Sequence, residues 1–391
     1  ILLGGSLGDI FGRRKVYLWG LAGFGTLSLL CGLAPNISSL IALRFIQGIF
    51  GALLVPGGLA IINTNFDRQE RGAAIGTWSA WSGILSAVGP LLGGYIIDAA
   101  SWRWIFFINV PLVILCGIMA LKSVDESRDQ RTRRVDVGGA VLAGLSLAGL
   151  IYGLIEGPVD HWRPGSLLSL IAGFALGGLF LWYESRAKDP MVHLSLFKSR
   201  NFSGSNLMTF AMYGALAGFM FALVIYMQTN LGYSAIKAGL SLMPVSLMLL
   251  AFSRKVGRLS SKYGPRFFMT AGPLIAAVGM FLLINYQPGD SYLWFLLPRV
   301  ILFSVGLVLL VAPLTTTVMT AVDESNSGIA SGINNAVSRI AGLIVVALLG
   351  LAGAGNMYHF SMILCVILAL LAGIVSFLTI QNQAKPLKVS P

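Results

Sequence analysis

Residues 4–15 of the chain read GGSLGDIFGRRK, a glycine-rich stretch that ends in three basic residues. Its beginning matches G-x-S-x-G, the turn that presents the nucleophilic serine of α/β-hydrolases, which would make Ser6 a nucleophile. That turn needs a strand before it and aspartate and histidine partners. No strand pattern precedes it here, and the nearest histidine is His161. We therefore interpret the stretch as a glycine-rich turn between two helices.

A second copy of this turn begins at residue 257, where the sequence reads GRLSSKYGPR. Similar offsets relate Arg44 and Gly51 to Arg299 and Gly306. The two halves of the chain therefore repeat in the same direction, as in two-lobed transporters. Two apolar segments precede the second copy and only a short one precedes the first, so we expect the first helix to be missing upstream of residue 1.

The composition is that of a membrane protein. Of 391 residues, 56% are hydrophobic and 11% are charged, whereas soluble domains carry about 25% charged residues. The apolar residues come in runs of about 20, the length of a helix that crosses the hydrocarbon core. The alternation of period two that marks transmembrane barrels is absent. We expect an all-α polytopic membrane protein.

The formal net charge of +12 reflects orientation in the membrane. Most of the lysines and arginines fall in alternate loops, which is the positive-inside pattern of a multi-pass protein of the bacterial inner (plasma) membrane. The charge therefore implies no nucleic-acid partner. The three cysteines and three histidines are isolated in the sequence, so we expect neither a metal site nor a cofactor.

We predict twelve complete spans, and the missing first helix and the partial segment at 1–11 bring the expected total to fourteen. The predicted spans are 16–34, 39–63, 73–97, 104–121, 137–156, 165–184, 205–228, 236–255, 266–286, 292–318, 328–350 and 357–380. The predicted domains are an incomplete N-terminal lobe at 1–121, a linker with two extra helices at 122–200, a C-terminal lobe at 201–380 and a cytoplasmic tail at 381–391.

Several stretches resemble, in order, the motifs of one transporter family. They are the loop at 5–14, Arg44-x-x-Gln47-Gly48-x-x-Gly51, Gly89-Pro90-Leu91-Leu92-Gly93-Gly94, Trp102-Arg103-Trp104-Ile105-Phe106, Ile108-Asn109-Val110-Pro111, Gly153-Leu154-Ile155-Glu156-Gly157 and Glu184-x-Arg186 with Pro190. The sequence is similar to the major facilitator superfamily, and in particular to its fourteen-span drug:proton antiporter branch (multidrug efflux permeases). The resemblance implies two six-helix lobes joined by two central helices.

The resemblance implies that the signature loop controls conformational change and that an arginine in the fourth helix takes part in proton coupling. The loop residues are Gly5, Gly8, Asp9, Gly12, Arg13 and Arg14. The alternative for the loop is a solvated turn whose charges only set topology. For coupling we single out Arg44, Gln47 and Glu156. Arg44 is alternatively a structural arginine, and Glu156 an ordinary charge at a helix end.

The stretch Gly89, Pro90, Gly93 and Gly94 resembles the antiporter motif of the family's fifth helix. Pro90 permits a kink, and we expect Gly89 and Gly93, four residues apart, to form a flat face for a close helix crossing. Ordinary helix packing is the alternative. Arg299 and Arg339 are the matching charged residues of the second half, and the sequence leaves structural and functional roles open for both.

Flexible methionines and flat aromatic rings suit loosely specified apolar ligands. The residues that we expect to line a substrate cavity are Trp78, Trp81, Tyr213, Met220, Tyr226, Gln228, Met243, Asn334 and Asn335. Lipid contact or helix packing is the alternative for each. Acidic residues are otherwise absent from the span interiors, and cation–π contacts could hold a lipophilic monovalent cation.

We therefore expect a secondary transporter that exports a lipophilic or amphipathic compound in exchange for protons. No nucleotide-binding loop G-x-x-x-x-G-K-[ST] is present, so the proton gradient is the expected energy source. The expected partners are the small-molecule substrate, protons and the lipid bilayer, and a periplasmic adaptor protein is left open. The alternatives are a dedicated exporter of an endogenous lipid, siderophore or antibiotic, a non-transporting receptor and an integral-membrane enzyme.

Overall fold

A computed structural model describes residues 7–8, 10–65, 89, 92–127, 136–187, 190, 192, 194–322 and 327–382. These residues are helical apart from short connections and contain no strand. Nine of the helices within them are long and apolar enough to cross a membrane. The prediction of an all-α polytopic membrane protein is confirmed. The total of fourteen spans stays a prediction.

In its described residues, the first part of the chain contains six numbered helices and a further helical stretch at 92–99. The helices are α1 (Arg13–Gly32), α2 (Ile37–Asn65), α3 (Trp104–Phe107), α4 (Asn109–Ser123), α5 (Val137–Val159) and α6 (Pro164–Glu184).

The second part of the chain begins with a short 3-10 helix (Leu194–Lys198) and also contains a π-helical turn (Tyr292–Leu296). The helices are α7 (Arg200–Thr229), α8 (Ala235–Tyr263), α9 (Pro265–Phe281), α10 (Leu297–Thr320), α11 (Ser327–Leu349) and α12 (Gly353–Thr379).

Both copies of the repeated turn end in a glycine with a positive φ. Gly12 has φ 104° and precedes α1, and Gly264 has φ 91° and precedes α9. Only glycine adopts this conformation without strain. Pro265 follows at the first position of α9, where its missing N–H has no helical partner to lose. The repeated turn therefore ends in the same backbone conformation before α1 and before α9.

Two predicted spans are irregular, and a proline explains each irregularity. The predicted span 104–121 is interrupted at Ile108, between α3 and α4. Pro111 lacks the N–H that would bond the carbonyl of Phe107, and its ring clashes there. The predicted span 292–318 begins with the π-helical turn. Pro298 in the same way leaves the carbonyl of Trp294 without its helical donor.

The structure divides into two compact units. The first comprises Ile1–Leu145, Leu176–Val192 and Tyr233–Leu240. The second comprises Ser146–Ala175, His193–Gly232 and Ser241–Pro391. The predicted boundaries of two lobes and a separate linker stay a prediction.

Helices within each unit approach closely where one of them carries a glycine. In the second unit, a Cβ on Gly272 of α9 would lie 2.8 Å from the carbonyl oxygen of Gly306 of α10. In the same unit, a Cβ on Gly149 of α5 would lie 2.8 Å from the carbonyl oxygen of Ser169 of α6. In the first unit, a Cβ on Gly25 of α1 would lie 2.8 Å from Val113 of α4. Small residues allow such close packing in membranes, where no hydrophobic force drives helices together.

Candidate functional site

The loop after α4 holds the start of α1. Oε1 of Glu126 accepts a hydrogen bond from the backbone N–H of Arg14 at 3.1 Å, and Oε2 accepts one from Lys15 at 3.1 Å. The backbone N–H of Arg13 donates to the carbonyl of Ser127 at 3.0 Å. The first N–H groups of a helix have no helical partner and carry partial positive charge. The Glu126 carboxylate therefore caps α1.

The second copy of the turn is capped at the matching place. The backbone N–H of Arg266 donates to Oδ1 of Asn382 at 3.1 Å, and its guanidinium donates to the carbonyl of Phe377 at 2.8 Å. In the first copy the guanidinium of Arg14 donates to the carbonyl of Val124 at 3.0 Å. The two repeats therefore use one arrangement, with a charged cap in the first and a neutral cap in the second.

Sequence reasoning missed both capping residues. Glu126 lies three residues after the end of α4, and Asn382 lies three residues after the end of α12, so the repeat could have revealed them. The structure brings the predicted residues Gly12, Arg13 and Arg14 together at the cap. Gly8 is buried just before them, whereas Gly5 and Asp9 lie outside the described residues.

The predicted coupling residues Arg44 and Gln47 are in contact on α2. The guanidinium of Arg44 donates to Oε1 of Gln47 at 2.7 Å and lies 5.8 Å from the ring centroid of Phe106. Nε2 of Gln47 donates to the carbonyl of Phe24 on α1 at 3.4 Å, and the Cys31 thiol lies 3.8 Å from Oε1. Gln47 is buried while Arg44 is exposed. The buried amide thus holds the arginine against α1.

The stretch around residues 102–109 fastens the other end of α1. The Arg103 guanidinium donates to the carbonyls of Gly32 and Ala34 at 3.2 and 2.9 Å. A cation beside the last carbonyls of a helix is stabilising. Nδ2 of Asn109 donates to Ser28 Oγ at 3.0 Å, and this hydroxyl donates to the carbonyl of Phe106 at 3.1 Å. These bonds position Phe106, the ring beneath Arg44.

The antiporter-like stretch makes its close contact at Gly94. A Cβ on Gly94 would lie 2.8 Å from the backbone nitrogen of Ile236 and 2.9 Å from the carbonyl carbon of Ala235. No described atom lies within 4 Å of a Cβ placed on Gly89 or Gly93. The crossing face predicted from Gly89 and Gly93 is therefore not found among the described residues. Gly94, the last residue of the motif, makes the close approach to the start of α8 instead. Pro90 lies outside the described residues.

The predicted cavity residue Asn334 is half-buried and joins the buried side chains of Asn206 and Thr209 in a polar cluster between α11 and α7. Its Nδ2 donates to Thr209 Oγ1 at 2.8 Å and to Asn206 Oδ1 at 3.2 Å. Nδ2 of Asn206 donates in turn to the carbonyl of Phe202 at 2.9 Å. The cluster joins two membrane helices through side-chain amides. This geometry favours a packing role for Asn334.

The other predicted cavity residues differ in burial and contacts. Tyr226 stacks on Tyr358 with ring centroids 4.0 Å apart, and its hydroxyl donates to the carbonyl of Tyr286 at 2.7 Å. The Tyr226 hydroxyl is therefore occupied by a hydrogen bond within the protein. Tyr213, Met220 and Met243 are half-buried, Gln228 and Asn335 are exposed, and Trp78 and Trp81 lie outside the described residues. Glu156 is half-buried in the last turn of α5.

Asn334→Ala is expected to lower the free energy of unfolding by about 0.6 kcal/mol, the average measured for hydrogen bonds between membrane helices, and by no more than about 1.7 kcal/mol, the largest value measured. The substitution removes the donor that Thr209 and Asn206 share. Unfolding in mixed micelles measures the change, and a double-mutant cycle with Thr209→Val isolates the coupling. Asn335→Ala is the matched control, because within the described ranges the amide of Asn335 donates only to Ser331 of its own helix. Equal losses in the two alanine variants would contradict the prediction.

Comparison with known proteins agrees with this fold and these motifs. The family model of the Major Facilitator Superfamily matches residues 1–346. The multidrug resistance protein Stp of Mycobacterium tuberculosis (strain CDC 1551 / Oshkosh) is 34% identical, over 90% of this chain and 65% of that protein. The puromycin resistance protein pur8 of Streptomyces alboniger is 33% identical, over 91% and 71%. The tetracenomycin C resistance and export protein of Streptomyces glaucescens is 29% identical, over 91% and 66%.

Solved structures share the fold at low sequence identity. The peptide transporter POT in complex with sulfate matches with a TM-score of 0.71 and 13% identity, over 96% of this chain and 82% of that chain. A POT family transporter in complex with a thioalcohol conjugated peptide matches with a TM-score of 0.69 and 15% identity, over 95% and 83%. The family model, the relatives and the fold agree with the motif resemblance, and the chain belongs to the Major Facilitator Superfamily.

Proposed function

We propose that the protein exports lipophilic or amphipathic small molecules across the bacterial inner membrane in exchange for protons. The observation that carries this proposal is the similarity to relatives named for multidrug and puromycin resistance, at 34% and 33% identity. The chain spans 65% of the length of the first of them, so activity, substrate and proton coupling are all proposed for the protein as a whole. Membership of a transporter superfamily argues against the integral-membrane enzyme.

Arg44 supports the coupling part of the proposal. A charged side chain inside a membrane span is costly and marks a functional pathway by default. In α2 the guanidinium is exposed, and only Gln47 and the Phe106 ring position it among the described residues. An arginine held in this way can stabilise the ionised form of a nearby proton-carrying acid and release it when the acid is protonated.

The capped turns support the conformational part of the proposal. Transporters with parallel repeats work by rigid-body rocking of the repeats around a site near the middle of the membrane. Glu126 and Asn382 tie the end of the last helix in each half to the helix that follows its turn. Each half can then move as one body. We propose that Gly12, Arg13 and Arg14 maintain this rigidity.

A dedicated exporter of one endogenous product is the second candidate. The tetracenomycin C resistance and export protein, 29% identical, is named for a single compound. Dye accumulation distinguishes the candidates, because a multidrug pump lowers the ethidium content of cells and a dedicated exporter leaves it unchanged. An adaptor protein is a further proposal that co-purification from membranes would test.

Arg44→Ala is expected to lower pH-driven ethidium transport in proteoliposomes about tenfold or more, equivalent to a loss of about 1.4 kcal/mol. Arg44→Lys keeps the charge and should retain part of the rate. Arg163→Ala removes an exposed charge from the loop between α5 and α6 and serves as the control with an unchanged rate. Full transport by Arg44→Ala would remove Arg44 from the mechanism, and an absence of pH-driven flux for every tested dye would overturn multidrug export.

A further inference from the structure

Arg339 lies near the middle of a membrane span. It stands 12 residues after the start of α11 at Ser327 and 10 residues before its end at Leu349. With a rise of 1.5 Å per residue, the distances along the axis are about 18 and 15 Å. Snorkelling serves arginines near helix ends, so it does not explain this position. The Arg339 side chain is exposed and makes no hydrogen bond or ion pair with any residue that the structure describes.

The two sides of α11 differ in character. One side packs on α7, where Asn334 meets Thr209 and where a Cβ on Gly214 would lie 2.7 Å from Val345. Asn335, Arg339 and Leu343 are all exposed and follow each other at intervals of four residues. Residues spaced by four share one face of a helix. Arg339 therefore lies on a continuous exposed stripe, away from the packed side.

Arg299, another arginine within a candidate span of this unit, has the contacts of a structural arginine and serves as a comparison for Arg339. Arg299 donates to the carbonyls of Phe295 and Leu282 at 2.6 and 3.1 Å, and its guanidinium lies 3.6 Å from the ring centroid of Phe295. It also reaches the carbonyl of Trp294 at 3.5 Å, the group that Pro298 leaves without a helical donor. The structure thus gives Arg299 a packing role, and Arg339 has no equivalent contacts with the described part of the chain.

The described spans also lack an internal acid that would neutralise Arg339. Across the nine candidate spans the acidic residues are Glu156 and Glu184. Glu156 lies in the last turn of α5, and Glu184 is the final residue of α6. An exposed guanidinium in the hydrocarbon region is costly unless it faces a water-filled space or a partner. The positive charge at mid-span therefore needs an anion or water.

We propose that Arg339 binds the anionic group of the transported compound, a carboxylate, sulfonate or ionised phenol on an amphipathic molecule. Charge-assisted hydrogen bonds from a guanidinium fork suit such groups. Asn335 lies one turn away on the same stripe; its Nδ2 donates to Ser331 at 3.1 Å, and its Oδ1 accepts from a hydroxyl of the ligand. This inference rests on the proposed export function and specifies that compounds with an anionic group bind more tightly than lipophilic cations such as ethidium, which are weaker substrates.

Binding to the whole chain in nanodiscs tests the inference with probes of one size and opposite charge. Fluorescein is anionic and rhodamine 123 is cationic, and both share the xanthene ring; Nile red is a neutral reference. Fluorescence polarisation measures each affinity, with empty nanodiscs subtracted. Arg339→Gln removes the charge, Arg339→Lys keeps it, and Arg258→Gln removes an exposed charge near the end of α8 as a matched control.

Wild-type protein should bind fluorescein more tightly than rhodamine 123. Arg339→Gln should weaken fluorescein binding about tenfold or more, the size expected for a hydrogen bond to a charged group. The affinities for rhodamine 123 and Nile red should not fall. Arg339→Lys should restore most of the fluorescein affinity, and Arg258→Gln should match the wild type.

Three results would overturn the inference. They are an absence of fluorescein binding to the wild type, an unchanged fluorescein affinity in Arg339→Gln, and an equal loss for all three probes, which would show a structural role. Transport is measured separately in proteoliposomes. Charge-selective binding without pH-driven flux would refute the proposed export and leave the anion site. Fluorescein flux that is equal in the wild type and in Arg339→Gln would refute the anion site and leave the export.

Discussion

Gly12→Ala is expected to destabilise the start of α1 and to lower both the thermal midpoint and the transport rate. Gly12 has φ 104° and ψ 128°, and placing a non-glycine residue in such a region costs about 1–3 kcal/mol. A Cβ there would also lie 2.6 Å from Oε1 of Glu126. The carboxylate would have to move and would release the backbone N–H groups of Arg14 and Lys15. Thermal unfolding in detergent, followed by size-exclusion fluorescence, measures the effect.

The chain offers a matched glycine for this experiment. A Cβ on Gly8 would lie 3.6 Å from the Arg13 side chain, an ordinary van der Waals contact, and Gly8 has no positive φ. Gly8→Ala should therefore leave the midpoint nearly unchanged. Glu126→Ala should reproduce part of the Gly12→Ala loss, because it removes the cap without straining the backbone. Equal midpoints for Gly8→Ala and Gly12→Ala would contradict the role given to the capped turn.

Gly94→Ala is expected to break the contact between residues 92–99 and the start of α8. The added methyl would lie 2.8–3.0 Å from backbone atoms of Ala235 and Ile236. Backbone atoms cannot turn aside as a flexible side chain can, so one of the two segments must move. Spin labels at Ile97 and Lys237, both exposed, should lose the short-distance population in pulsed spectroscopy. The transport rate should also fall about tenfold, equivalent to about 1.4 kcal/mol.

Gly93→Ala separates this prediction from the one made on sequence alone. The sequence places the close crossing at Gly89 and Gly93, whereas the described contact is at Gly94. Gly93→Ala should therefore keep the short spin-label distance and most of the transport rate. A larger loss from Gly93→Ala than from Gly94→Ala would restore the original assignment.

Much of the candidate site was predictable residue by residue but not in its geometry. The motif with Arg44 and Gln47 was recognised, and the two side chains do bond to each other. The Phe106 ring and the α1 carbonyls around them come from residues far along the chain, so spacing within the motif could not reveal them. The glycine motif was recognised too, but which glycine approaches another backbone depends on how two helices cross.

A helical membrane protein built on a parallel repeat can be recognised from the amino-acid order alone, because bilayer thickness sets the length of apolar runs and topology sets the alternation of charged loops. Only the tertiary structure showed that Glu126, 112 residues from Arg14, caps α1. The tertiary structure also shows how two arginines differ. The guanidinium of Arg299 donates to backbone carbonyls, whereas Arg339 lies on an exposed stripe of α11. Apolar pattern and charge are properties of one segment, whereas capping and hydrogen bonding depend on which segments pack together.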